Sequence, residues 1–189
     1  MARPLVTSAG CLLNLMATGR VTEVLDALGV RLLAPRAVRS EPLALGGRDD
    51  ELTAPTLDPI DLRSLESTER LVIEGLDAAE LREAWVACSE QLHDQDAATV
   101  ALAAVSGIPL ATDDRRQIAV AIELFPDLEI VSTLELLADA AERLALDESE
   151  LDELLRRVRV RAAFLPARDD RRRDWLLDRK PFESDVEFV

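Results

Sequence analysis

The chain is poor in most of the residues that carry common catalytic chemistry. Of its 22 basic residues only Lys180 is a lysine, a compositional bias of a GC-rich genome rather than a functional signal. His93 is the sole histidine, and no nucleophile elbow accompanies it, which removes a Ser-His-Asp reading. The two cysteines, Cys11 and Cys88, are isolated and lack metal-ligand spacing. They fit buried thiols in a reducing cytosol, and no Cys/His set for zinc is present. Gly46-Gly47 is a lone pair in a polar stretch, not a phosphate-binding loop. No long apolar run follows Arg3 or occurs later, so neither a signal peptide nor a membrane span is expected, and the location predicted is cytoplasmic. Positive charge is also short. With 37 acidic residues the formal charge is −15, which argues against broad nucleic-acid binding by the surface as a whole but leaves local binding open.

What the chain has is apolar residues, 48% of 189, enough for one domain with a core and a small C-terminal extension. Its organising stretch is Leu92 to Arg116, LHDQDAATVALAAVSGIPLATDDRR. Ala97, Val100, Ala103 and Ala104 give a small-residue helical stripe suited to packing on a sheet. Gly107 and Pro109 stop that helix, and Ile108, Leu110 and Ala111 predict a short buried strand. Asp113 and Asp114 fall at the strand's carboxyl end, where open α/β sheets place their ligands, and Asp96 opens the preceding helix.

Before this stretch, Leu5–Thr7 reads as a strand, 11–17 and 20–28 as helices, and 30–34 as a second strand. Pro35 is placed to start a helix running through Val38 to Glu41. Residues 45–59 read as a loop or irregular insert. Ile60–Leu65 alternates apolar and polar residues, predicting an edge strand, while 66–75 has no firm assignment. Residues 77–92 predict an amphipathic helix. After the central stretch come a helix over 115–124, a short strand over 129–131, and a helix over 133–144 with Ser132 and Glu135 as a capping box. The tail holds a helix over 147–161 that starts acidic and ends basic. Ten basic residues between Arg156 and Lys180 make it locally positive, with Trp175, Leu176 and Leu177 as an apolar anchor. This alternation predicts an α/β fold with a mainly parallel sheet.

The motifs VTSAGCLLNLMATGR, PRAVRSE, DQDAATVALA and LATDDRR stand in the order of a PIN domain, a metal-dependent nuclease fold found in many toxin–antitoxin ribonucleases. The chain resembles the bacterial branch that reads V-S-D-T-S-P-L-I near its start and carries a D-D pair later, and the likeness covers roughly residues 5 to 140. The resemblance implies a three-layer sandwich, residues 1–145, with helices on both faces of the sheet, followed by an arginine-rich helical extension, 146–189. It implies Glu41, Asp96 and Asp113 as catalytic, metal-holding acids, with Asp114 as a neighbour or further ligand. Mg2+ or Mn2+ would be the cofactor, since hard oxygen ligands favour those ions. Held by several carboxylates, such an ion polarises water and neutralises charge on a phosphodiester. Asn14 would line the cleft with Arg115 as a substrate contact. RNA and an antitoxin protein are the implied partners, and a homodimer is compatible with the apolar faces.

One position departs from the pattern. The family's first aspartate falls on Ser8, whose uncharged hydroxyl ligates a divalent ion weakly. DQDA also carries aspartate where the branch has glutamate. Two functional readings follow: a metal-dependent ribonuclease, or a catalytically degenerate PIN domain serving as an RNA- or protein-binding regulatory module. Each residue also has a plain reading. Glu41 would be a solvated helix residue, Asp96 an acid favoured by a helix dipole, and Asp113 and Asp114 caps of the following helix. Ser8 would be a turn residue, His93 a surface side chain, and the tail arginines a solvated face.

Overall fold

The structure, a computed structural model, describes residues 2–40, 43–46, 57–168, 170 and 172–177. Strand β1 (Arg3–Thr7) leads through Ser8 into helix α1 (Ala9–Ala17), followed by α2 (Val21–Leu28) and β2 (Val30–Pro35). The helix expected from Pro35 is a single 3-10 turn, Arg36–Ser40, and Glu41 lies outside the described residues. The expected insert contributes a short antiparallel pair, β3 (Ala44–Gly46) and β4 (Leu57–Pro59). Helix α3 (Arg63–Ser67), β5 (Leu71–Glu74), α4 (Ala79–Ser89) and α5 (Asp94–Ser106) follow. Then come β6 (Leu110–Ala111), α6 (Arg115–Leu124), β7 (Ile130–Val131), α7 (Thr133–Leu144), α8 (Glu148–Ala162) and α9 (Arg173–Leu177).

The edge strand expected over Ile60–Leu65 is corrected. Asp61 accepts a hydrogen bond from the Arg63 amide at 2.9 Å, an Asx turn that starts α3 and buries Leu65. The sheet edge is instead β5, in the stretch that had no assignment.

The central sheet has the order β5-β2-β1-β6-β7, and every neighbouring pair in it is parallel. Alternate side chains of its strands enter two cores, as the two-residue period of a strand requires. Leu5, Leu32, Ala34 and Ala111 join α1, α2, α7 and α8 on one face. Val6, Leu33 and Leu110 join residues of α4, α5 and α6 on the other. With both faces covered, the α/β three-layer arrangement expected from the sequence is the one observed. The small residues of α5 let it lie close on the sheet, and Ala97, Val100, Ala101 and Ala103 are fully buried. Gly107 ends α5 at φ 62°, the left-handed conformation in which a side chain would be strained. Helix α8 belongs to the same core as α1: Leu151, Leu154, Leu155 and Val158 are buried there with Leu12 and Leu15. Burying each leucine contributes about 2 kcal/mol against the entropy of ordering the chain.

Candidate functional site

In this strand order the chain runs from β1 outward to one side and returns later to β1's other side as β6. The carboxyl ends of β1 and β6 flank the switch point of an open α/β sheet, where the connections diverge and leave a crevice. Here a cleft of about 370 Å³ is lined by Ser8, Asn14, Asp96, Asp113, Asp114 and Gln117, with Cys11 and the segment Ala162–Leu165 among its other walls. Five of the residues singled out in the sequence therefore meet at one place. Arg115 opens α6, is exposed, and is not among the lining residues. Glu41 lies outside the described residues.

Ser8 joins the two elements behind the cleft. Its amide donates to Ala111 O at 2.9 Å, continuing the β1–β6 ladder, and its Oγ accepts from the Cys11 amide at 3.1 Å as the N-cap of α1. At the end of β6, the Asp113 carboxylate is held on both oxygens. Oδ1 accepts from the Thr133 amide at 2.9 Å; Oδ2 accepts from the Thr133 hydroxyl and from Asn14 Nδ2 at 3.2 Å. Asn14 Nδ2 also donates to Thr133 Oγ1 at 3.1 Å, so α1, β6 and α7 are tied through this one carboxylate. Burial pushes the Asp113 carboxyl above its ordinary range, and the charge of Asp170 pushes the same way, against the lowering effect of the Thr133 and Asn14 hydrogen bonds.

Asp114 takes the plain role foreseen for it. As the N-cap of α6 it accepts from the Arg116 amide at 2.8 Å and the Gln117 amide at 2.9 Å. Asp96, in the first turn of α5, accepts from Gln117 Nε2 at 2.7 Å. Gln117 is 3% exposed, and its Oε1 is buried without a hydrogen-bond partner among the described residues. His93 precedes α5 and makes no side-chain capping bond. Thr133 and Gln117, which hold the two aspartates, were not singled out in the sequence. The signal for Thr133 was its place directly after the Ser132 cap; Gln117 carried none.

A divalent ion needs several carboxylates free to converge. Among the described residues, no group of three or more Asp, Glu, His or Cys side chains is placed to hold a metal ion. Three of roughly four lone-pair positions on Asp113 are already taken by donors. The described residues by themselves therefore do not fit the ion that the sequence led us to expect. Three of the four arginines of α8 are also engaged: Arg156 and Arg157 pair with Glu153, and Arg161 with Asp58 at 3.0 Å. Among the described residues no helix is long and apolar enough to cross a membrane. No family model, curated protein or solved structure matches the chain.

Proposed function

We propose that the chain is a PIN-like domain whose cleft binds a protein partner through its acidic rim, in place of metal-dependent RNA hydrolysis. The observation that carries this reading is the commitment of Asp113: both of its oxygens hold the start of α7 and Asn14 in place. Ser8, at the position of the missing acid, serves the backbone as a cap. The cleft offers acceptors, namely the carboxylates of Asp96 and Asp114, and so suits a donor that is cationic, such as a guanidinium group on a partner. A protein surface is favoured over RNA because the chain's net charge is −15 and Arg156, Arg157 and Arg161 of α8 are engaged in internal pairs.

A second reading, a Mg2+- or Mn2+-dependent ribonuclease, is favoured by one observation: Asp96, Asp113 and Asp114 line a single cleft at the switch point. One set of measurements separates the two. Labelled structured RNA is incubated with Mn2+ or with chelator, using the natural chain, Ser8→Asp and Asp113→Asn. The binding reading expects no metal-dependent cleavage by the natural chain. Cleavage that needs metal and disappears in Asp113→Asn overturns it. In parallel, an arginine-rich peptide is titrated at moderate salt. Asp96→Asn with Asp114→Asn is expected to weaken binding about tenfold, the loss of two charge-assisted contacts. Glu148→Gln, remote on α8, is expected to have little effect. Equal weakening by both would show mere attraction to net negative charge.

A further inference from the structure

The end of the sheet opposite the switch-point cleft carries apolar side chains that the core leaves open. There α5 stops at Gly107 and the chain turns toward β6, while α6 stops at Phe125, directly before Pro126. Ile108, Leu124, Phe125 and Leu128 pack against the core of Val100, Leu110 and Val120, yet each is only half-buried. They form the floor of a groove of about 540 Å³, with the exposed Asp127 and Glu129 among its other lining residues. Backbone hydrogen bonds fix its frame. The Ile108 amide donates to Ala103 O at 3.1 Å, that of Leu128 to Phe125 O at 2.9 Å, and that of Leu110 to Glu129 O at 2.9 Å. Val105, 41% exposed, and Ile122, 60% exposed, stand on the same two helices.

No hydroxyl, amide or imidazole side chain lines this groove, so it lacks the convergent polar groups that orient a small ligand. It offers apolar area with an aromatic ring beside carboxylates, the make-up of a surface that receives apolar side chains of another protein. Charge then selects the partner. The stretches that build the groove belong to residues 83–114 and 117–142, and neither holds a lysine or arginine. Among the described residues, neither Asp127 nor Glu129 is in an ion pair. Arg3 and Arg172 line a neighbouring cleft that shares only Pro109 and Glu129 with the groove, and Arg172 there faces Asp139 at 3.8 Å.

We propose that this groove docks a protein segment in which apolar side chains are flanked by lysine or arginine. The apolar side chains seat on Ile108, Leu124, Phe125 and Leu128, and the cations meet Asp127 and Glu129. The docking is independent of the binding assigned to the switch-point cleft. Both places attract cations, but only the groove demands apolar anchors.

The probe is a fluorescent synthetic peptide, Lys-Leu-Leu-Lys-Leu-Leu-Lys, titrated into the full chain at moderate salt. Saturable binding is expected, with shifts of backbone amide resonances centred on residues 104–109 and 124–129. A peptide with serine in place of leucine is expected to bind about tenfold or more weakly, because the apolar contacts are gone. Asp127→Asn with Glu129→Gln, two exposed positions, is expected to weaken the leucine peptide about tenfold, and Asp96→Asn with Asp114→Asn to leave it unchanged. Equal binding of the serine peptide would reduce the effect to attraction by net charge and overturn the proposal. So would shifts centred elsewhere, failure to saturate, or greater weakening by the Asp96 and Asp114 pair than by the Asp127 and Glu129 pair. A free chain that sediments as a dimer and separates when the peptide is added would place a second copy in the groove, which also overturns it.

Discussion

At the scale of single residues, Asp113 is the most constrained side chain of the site. Asp113→Ala leaves the Thr133 amide and hydroxyl and the Asn14 amide without the acceptor that holds them. The expected cost is about 2 kcal/mol, read as a lower urea midpoint; Asp113→Asn, which keeps one carbonyl acceptor, is expected to cost less. The pH dependence follows from the raised carboxyl. Asp113 keeps its proton to higher pH in the folded chain than in the unfolded one, so across that interval the folded state binds more protons. The contribution of Asp113 to stability therefore grows as pH falls through its raised value and is smallest once the group is ionised in both states. Comparing urea midpoints of the natural chain and Asp113→Asn across acid pH tests this: the difference between them is expected to change with pH in that direction, and a constant offset would refute it. The sequence could point to Asp113 because the residue ends a buried strand directly before a helix. It could not reveal Thr133 as its partner, because a hydroxyl at a helix start reads only as part of a cap, and the contact spans 20 positions.

Among the elements, α6 begins at the point where structural and functional readings of one acid compete. Asp114 accepts two amide hydrogen bonds as its cap. Asparagine caps nearly as well as aspartate and alanine does not, so Asp114→Asn is expected to keep thermal stability while Asp114→Ala costs about 1 kcal/mol. Calorimetric melting of both variants checks this; equal losses would show that charge, not capping, is what the position contributes. The cap of α7 was readable in the sequence because Ser132 with Glu135 is a strictly local pattern; at α8 only an acidic start was legible, where Asp147 and Glu150 form a second capping box. The sheet edge was not. IDLRSL alternates like a strand, yet Asp61 starts a helix there. β5 is four residues long, and its partner β2 lies far earlier in the chain, so its pairing leaves little local trace. Parallel strands are specified by neighbours that a window along the chain does not contain.

Taken as a whole, the molecule is an acidic body in which several arginines, among them Arg20, Arg70, Arg156 and Arg161, are paired with acids. Self-repulsion from a net charge of −15 opposes the compact state, and exposed ion pairs such as Arg156–Glu153 return little. Raising salt from low to physiological ionic strength is accordingly expected to raise the melting temperature by a few degrees, roughly 1 kcal/mol of relief. A fall on adding salt would mean that the ion pairs outweigh the repulsion. The order of the sheet has a further consequence, for the chain as it is made. β1 is synthesised first, yet it sits in the middle, with Val6 paired to Leu33 on one side and to Leu110 on the other. As the chain leaves the ribosome, β5, β2 and β1 are complete long before β6 emerges. The nascent half-sheet therefore shows an unpaired edge along β1 for the whole time that α4 and α5 are being translated. The site lies on that seam, so the cleft comes into being only when β6 docks on a strand made about a hundred residues earlier.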